Sequence, residues 1–241
     1  MNESHNGQQL LSAEHIVKKY GRKTVVQDLS MYVNRGEVIL LLGQNGAGKT
    51  TTINCILGSC KYDGNVRICN EQSYSLYAKR NIGYVPESPS PYDYLTVMEH
   101  LEFIAAAYKL LDWRDRADSL LSTFHMTNER NKLGVNLSKG MKQKLNICCA
   151  LLIQPLLLII DEPFVGLDPQ AIAALKRMIL FKKTEGCGIL LSTHMIDMVD
   201  DLWDRAYILS DGNLVATPIH DGTMKRGSLE KMFLDVTSCE S

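Results

Sequence analysis

The chain has 241 residues, of which 22% are charged and 45% hydrophobic, with a formal net charge of −1, the profile of a globular protein able to bury a sizeable core. That balance leaves no basic footprint for nucleic acid, and the longest uncharged apolar run, Ile147 to Ile153, falls far short of the roughly twenty residues of a membrane span. The opening MNESHNGQQ lacks the apolar centre of a signal peptide, and the seven cysteines, odd in number and without a CxxC pair, suit reduced thiols better than a disulfide framework or a zinc site.

In chain order, Leu10 to Tyr20 and Thr24 to Val33 read as strands around the turn Tyr20-Gly21-Arg22-Lys23. The apolar run Val38 to Leu42 is a strand that leads into GQNGAGKTT, and Thr50 to Leu57 reads as the helix beyond it. Gly43, Gly48, Lys49 and Thr50 stand at the spacing of a phosphate loop. Glycines here let the backbone N–H groups from Gln44, Asn45, Gly46 and Ala47 through Thr51 turn around a phosphate, and the helix N-terminus adds partial positive charge. Lys49 is expected to reach the β- and γ-phosphates of a nucleotide, and Thr50 to ligate Mg²⁺. Short strands follow at Asn65 to Cys69 and at Ile82 to Val85.

The pattern changes after Pro86. Ser88-Pro89-Ser90-Pro91 cannot be helical, and Thr96 with Glu99 then forms a capping box that opens a helix. A second helix fits Asp112 to about His125, and a third starts at Ser138 and ends near Gln154-Pro155. Residues 87–155 thus read as a helical insert between two parts of an α/β core, 1–86 and 156–241, of a single domain.

Leu156 to Ile160 is an unbroken apolar run, the mark of a strand covered on both faces. It ends in Asp161, placed to hold Mg²⁺, and Glu162, placed to orient and deprotonate an attacking water. Asp168-Pro169 caps a helix that Gly186 stops, and Gly188 to Ser192 is the next buried strand. A helix is expected from Met195 to Trp203, a hairpin around Asp211-Gly212, and an amphipathic helix from Ser228 to Val236. Ser138 and Gly140 open their own helix, a second anion-binding terminus, which suggests a site completed across a dimer.

These motifs together resemble the ATP-binding subunits of ABC transporters, along nearly the whole chain. The shared features are the glycine loop, Asp161-Glu162-Pro163, Gly166-Leu167-Asp168, Ser192-Thr193-His194 and, most specific, Asn136 to Leu145 (NLSKGMKQKL), similar to the family signature LSGGQ. The resemblance implies a P-loop NTPase fold: a mostly parallel sheet, an N-terminal antiparallel β subdomain and an inserted α-helical subdomain. It further implies ATP and Mg²⁺ as cofactors, adenine stacked on Tyr20, and His194 bonded to the γ-phosphate. Glu87 takes the place of the family's Q-loop glutamine near Mg²⁺, and Ser138, Lys139, Gly140, Met141 and Asp168 join the ATP site. Lys139 and Met141 depart from the usual glycine and glutamine, and Glu87 from the usual glutamine. The expected partners are separate transmembrane permease subunits of an export system and a second copy or paralogue packed head to tail. The expected place is the cytoplasmic side of the cell membrane. A scaffold ATPase unattached to a transporter is the alternative.

Overall fold

The computed structural model describes residues 8–238; residues 1–7 and 239–241, Cys239 among them, lie outside that range. The first two strands, β1 (Gln9–Tyr20) and β2 (Lys23–Asn34), form an antiparallel ribbon around the predicted turn. Strand β3 (Val38–Gly43) feeds the glycine loop and helix α1 (Lys49–Ile56). Strand β4 (Asp63–Ile68) returns to pair antiparallel with β1. A two-residue strand, β5 (Glu71–Gln72), and a five-residue helix, α2 (Leu76–Arg80), follow before β6 (Ile82–Val85).

Between β6 and the next strand stand α3 (Val97–Tyr108), α4 (Trp113–Thr123) and α5 (Lys139–Leu152). Helix α3 starts where its sequence says it should: the Thr96 side chain accepts from the Glu99 N–H, and the Glu99 side chain accepts from the Thr96 N–H. The chain then re-enters the sheet with β7 (Leu157–Asp161), α6 (Pro169–Thr184), β8 (Gly188–Thr193), β9 (Arg205–Ser210) and β10 (Asn213–Ala216), and ends in α7 (Ser228–Ser238).

Two sheets result. One is antiparallel, in the order β2-β1-β4-β5, and the other runs β10-β9-β3-β8-β7-β6, parallel except at the β10–β9 edge. The unbroken apolar strands are explained by two cores, one on each face of the parallel sheet. Ile39 and Leu41 of β3, with Ile159 of β7 and Leu190 of β8, face the antiparallel sheet and α1. Leu40 and Leu42, with Ile160 and Leu191, face the helical layer. Alternate residues point to opposite faces, so a strand buried on both has no polar position.

The expected helix from Met195 to Trp203 does not form; a single 3-10 turn, Ile196–Met198, takes its place. Ile196, Val199 and Leu202 are buried as a helical pattern requires, but Asp200 accepts from the Gly227 N–H and Asp201 pairs with Lys176. Aspartate favours such local and tertiary bonds over a helix interior. No helix among the described residues is long and apolar enough to cross a membrane.

Candidate functional site

The carboxyl ends of β3, β7 and β8 meet at one point, because β3 pairs with β8 and β8 with β7. There the glycine loop turns outward, with Gly48 at φ 105°. A Cβ on Gly48 would stand 2.8 Å from the Val25 carbonyl oxygen, so only glycine allows this path. Helix α1 begins with no side-chain cap and no acidic residue in its first turn, which leaves its N-terminus to an anion. A cleft of about 350 Å³ lies here, lined by Gln44, Asn45, Gly46, and Gly48 through Thr51, together with Val25, Glu87 and Glu162.

Lys49 is buried, and its Nζ donates to the Gly43 carbonyl at 2.8 Å and to the Gln44 carbonyl at 3.3 Å. Glu162 Oε1 lies 3.2 Å from the same Nζ, an ion pair without hydrogen-bond geometry. The other carboxylate oxygen of Glu162, Oε2, meets His194 Nδ1 at 2.9 Å and accepts from the His194 N–H at 3.3 Å. Glu162 reaches both partners from a left-handed backbone, φ 46°, held by its own N–H donating to Ser192 at O and Oγ. A non-glycine residue in that region is strained, and such strain gathers at functional sites. Burial opposes the charged form of Glu162, but His194 and Lys49 outweigh it and hold its carboxyl below the usual range.

Asp161 is fully buried. Ser192 donates its hydroxyl to Oδ1, while Oδ2 has no hydrogen-bond partner among the described residues. Burial raises the pKa of this carboxyl, although Ser192, Thr50 and Lys49 pull the other way. A buried, half-satisfied carboxylate beside a threonine hydroxyl suits a hard cation that completes its shell with phosphate oxygens and water, as Mg²⁺ does. No cluster of three His, Cys, Asp or Glu side chains stands ready to hold a metal unaided among the described residues.

The other predicted residues lie outside the cleft lining. Ser138 caps α5 by accepting from the Met141 N–H at 3.3 Å, and a Cβ on Gly140 would come within 2.5 Å of the Gly166 carbonyl oxygen. The Lys139 stem also lies against Gly166, and the Met141 sulfur meets Lys132 Nζ at 4.0 Å. Asp168 caps α6 through the Ala171 N–H and pairs with Lys144 Nζ at 2.6 Å, and those bonds lower its pKa. Tyr20 is 53% exposed at the end of β1, with Lys18 Nζ 4.4 Å from its ring centre. Sequence reasoning did not assign Ser192, which fixes both Asp161 and the Glu162 backbone; a serine at the end of an apolar strand carries no signal of that role. Lys144 in α5 and Val25 in β2 were missed because their partners, Asp168 and Gly48, lie on other elements.

The pattern that defines the family described as "ABC transporter" matches residues 26–165. The lipopolysaccharide export system ATP-binding protein LptB of Haemophilus influenzae is 34% identical over 233 residues, 93% of this chain and 97% of that protein. The SkfA peptide export ATP-binding protein SkfE of Bacillus subtilis is 35% identical over 210 residues, 86% of this chain and 88% of that protein. A solved structure, "Structure of ATP binding subunit of ABC transporter", is 36% identical and superposes with a TM-score of 0.88 over 95% of this chain and 99% of that one.

Proposed function

Because the chain belongs to the ATP-binding subunits of ABC transporters, we propose that Lys49, Asp161, Glu162 and His194 form the hydrolytic half of an ATP site that powers an exporter. The observation that carries this is the Glu162 carboxylate, buried and bridged between Lys49 and His194. ATP phosphates entering the cleft compete for the Lys49 ammonium, which is held by two carbonyls and one carboxylate. Once Lys49 turns to the phosphates, Glu162 loses a stabilising counter-charge and becomes a stronger base. It then accepts the proton of a water aimed at the γ-phosphorus, while His194 keeps its carboxylate oriented. Asp161 and Thr50, with Glu87 at the cleft wall, hold Mg²⁺, which supplies positive charge against the phosphate oxygens.

The Ser138-Lys139-Gly140-Met141 turn lies outside the lining of this cleft and serves the ATP of a second copy or paralogue packed head to tail. Gly140, pressed onto Gly166, ties that turn to the loop that follows Glu162, so each site senses the other. Tyr20 offers a flat exposed ring to the adenine, and Asp168 acts through the loop it caps. Residues 87–155, which carry α3, α4 and α5, are a helical insert in the α/β core of a single domain.

The membrane-spanning permease sits in a groove lined by Leu57, Ile82, Tyr84, Ile104 and Tyr108, flanked by the exposed Leu76 and Tyr77 of α2. Tyr84 joins that groove to the ATP site. Burial first, then the nearby Asp161 and Glu87 charges, push its hydroxyl up to about 12. Docking there holds the chain at the cytoplasmic face of the membrane. Two relatives of similar identity name a lipopolysaccharide and a peptide as cargo, so cargo choice belongs to the permease. The test is phosphate release from Mg²⁺-ATP by the wild type and by Lys49→Ala; equal rates in the two overturn the assignment.

A further inference from the structure

Helix α1 begins at the glycine loop and ends in a turn with a defined geometry. Gly58 sits at φ 66°, its N–H donates to the Cys55 carbonyl at 3.0 Å, and the Ser59 N–H donates to the Asn54 carbonyl at 2.9 Å. This pair of bonds is the Schellman motif, which needs glycine at its left-handed position and folds the chain back over the last helical turn. The residue it brings back is Cys60. Its sulfur lies 3.7 Å from that of Cys55, a contact made by the turn and not by chance proximity of distant segments.

We propose that Cys55 and Cys60 are an oxidation site, a thiol pair that a peroxide converts to an intrachain disulfide bracing the end of α1. Cys60 is half-buried and reaches solvent, whereas Cys55 is buried. Burial, and then the neighbouring Cys60 thiol, push the Cys55 thiol up to about 12, so Cys60 attacks first and Cys55 resolves. The Cys60 sulfur attacks one peroxide oxygen: an S–O bond forms, the O–O bond breaks, and the departing hydroxide takes the thiol proton as water. The Cys55 sulfur then attacks the Cys60 sulfenic sulfur: the S–S bond forms, the S–O bond breaks, and a second water leaves with the Cys55 proton. Two thiols are oxidised and one peroxide is reduced. The sulfurs must close from 3.7 Å to about 2.05 Å, which draws in the turn between them.

That turn touches two working surfaces. Leu57 and Ser59 line the groove assigned above to the permease. The next residue beyond the pair, Lys61, accepts at its carbonyl from Lys18 Nζ at 2.7 Å, and that ammonium covers the Tyr20 ring. Cys148 and Cys187, by contrast, are buried in the helical-side core with their thiols pushed up.

Trypsin cleaves after Lys49 and Lys61, so both cysteines fall in one peptide, residues 50–61. The intact chain is treated with hydrogen peroxide, alkylated without reduction, digested and weighed. The expected result is a 50–61 peptide that has lost two hydrogens and carries no alkyl group, restored to two alkylated thiols by prior dithiothreitol. A peptide with both thiols alkylated, or with Cys60 as sulfinic acid beside a free Cys55, overturns the proposal. This readout does not depend on the transporter reading. The brace itself does rest on that reading, and phosphate release tests it. Peroxide should slow the wild type reversibly and leave Cys60→Ser unchanged; equal slowing of both removes the brace.

Discussion

Replacing Glu162 with Gln isolates the charge at the centre of the site. Both Glu162 and Lys49 side chains are 6% exposed, and removing one partner of a buried pair costs about 3–5 kcal/mol when the other is left without compensation. Lys49 is not left so, because the Gly43 and Gln44 carbonyls remain as acceptors, and Gln keeps an oxygen for the His194 contact. A loss of about 2 kcal/mol is therefore expected without nucleotide, and for a chain of this size that lowers Tm by roughly 4–8 °C. The sign with pH is fixed as well. The Glu162 carboxyl is held below its ordinary 4.5, so the stability it contributes is present above that value and fades as pH falls through the lowered one. The Tm gap between wild type and E162Q should close in acid. In saturating Mg²⁺-ATP the lysine pairs with phosphate, so the gap should narrow there too. Turnover should fall by about a hundred- to ten-thousandfold, the range for loss of a general base, with the Kd for ATP changed by less than about threefold. Thermal melts and phosphate release measured on one preparation check all of this. Wild-type turnover in E162Q would refute the assignment of the base, and an unchanged Tm would refute the ion pair.

Asp161→Asn makes the opposite thermal prediction. Burial raises the Asp161 carboxyl, so the charged form works against the fold as pH rises, and the variant should melt no lower than wild type at neutral pH without ligand. Its melting temperature should no longer respond to Mg²⁺ added with ATP; a full Mg²⁺ response in the variant contradicts the metal assignment. Gly140→Ala places a Cβ 2.5 Å from the Gly166 carbonyl oxygen, a backbone atom with no flexible side chain to give way, and overpacking of this kind costs about 1–3 kcal/mol. The turn should shift enough to abolish turnover while ATP binding to the single chain persists, as titration with a fluorescent nucleotide would show. Unchanged phosphate release would mean the turn takes no part in hydrolysis.

The parts of the fold written in local pattern could be read directly. Leu156 to Ile160 has no polar position because two cores cover β7, and Thr96-Glu99 and Asp168-Pro169 mark helix starts by bonds that form within one turn. What escaped the sequence lacked such a pattern or depended on distant partners. Strand β5 and helix α2 are too short to show a period. The stretch from Met195 to Trp203 has helical apolar spacing, and only the bonds of Asp200 to Gly227 and Asp201 to Lys176 show why it is not a helix. In the site, the expectation for Lys49, Asp161, Glu162 and His194 came from motifs taken together, and the structure brings Glu162 against both Lys49 and His194. The Ser192 hydroxyl on Asp161 and the Lys144 clasp on Asp168 were not legible, since pairing across elements leaves no trace in either segment alone.

The central claim is that two copies complete each other's site, and mixing two crippled chains tests it most directly. Lys49→Ala keeps a sound Ser138 to Met141 turn and Gly140→Ala keeps a sound glycine loop, so a head-to-tail mixed pair contains one intact site. Each variant alone should release no phosphate from Mg²⁺-ATP, and the mixture should regain activity that rises with the concentration of either chain. A mixture as inactive as its components, with both chains shown to be folded, would contradict the account.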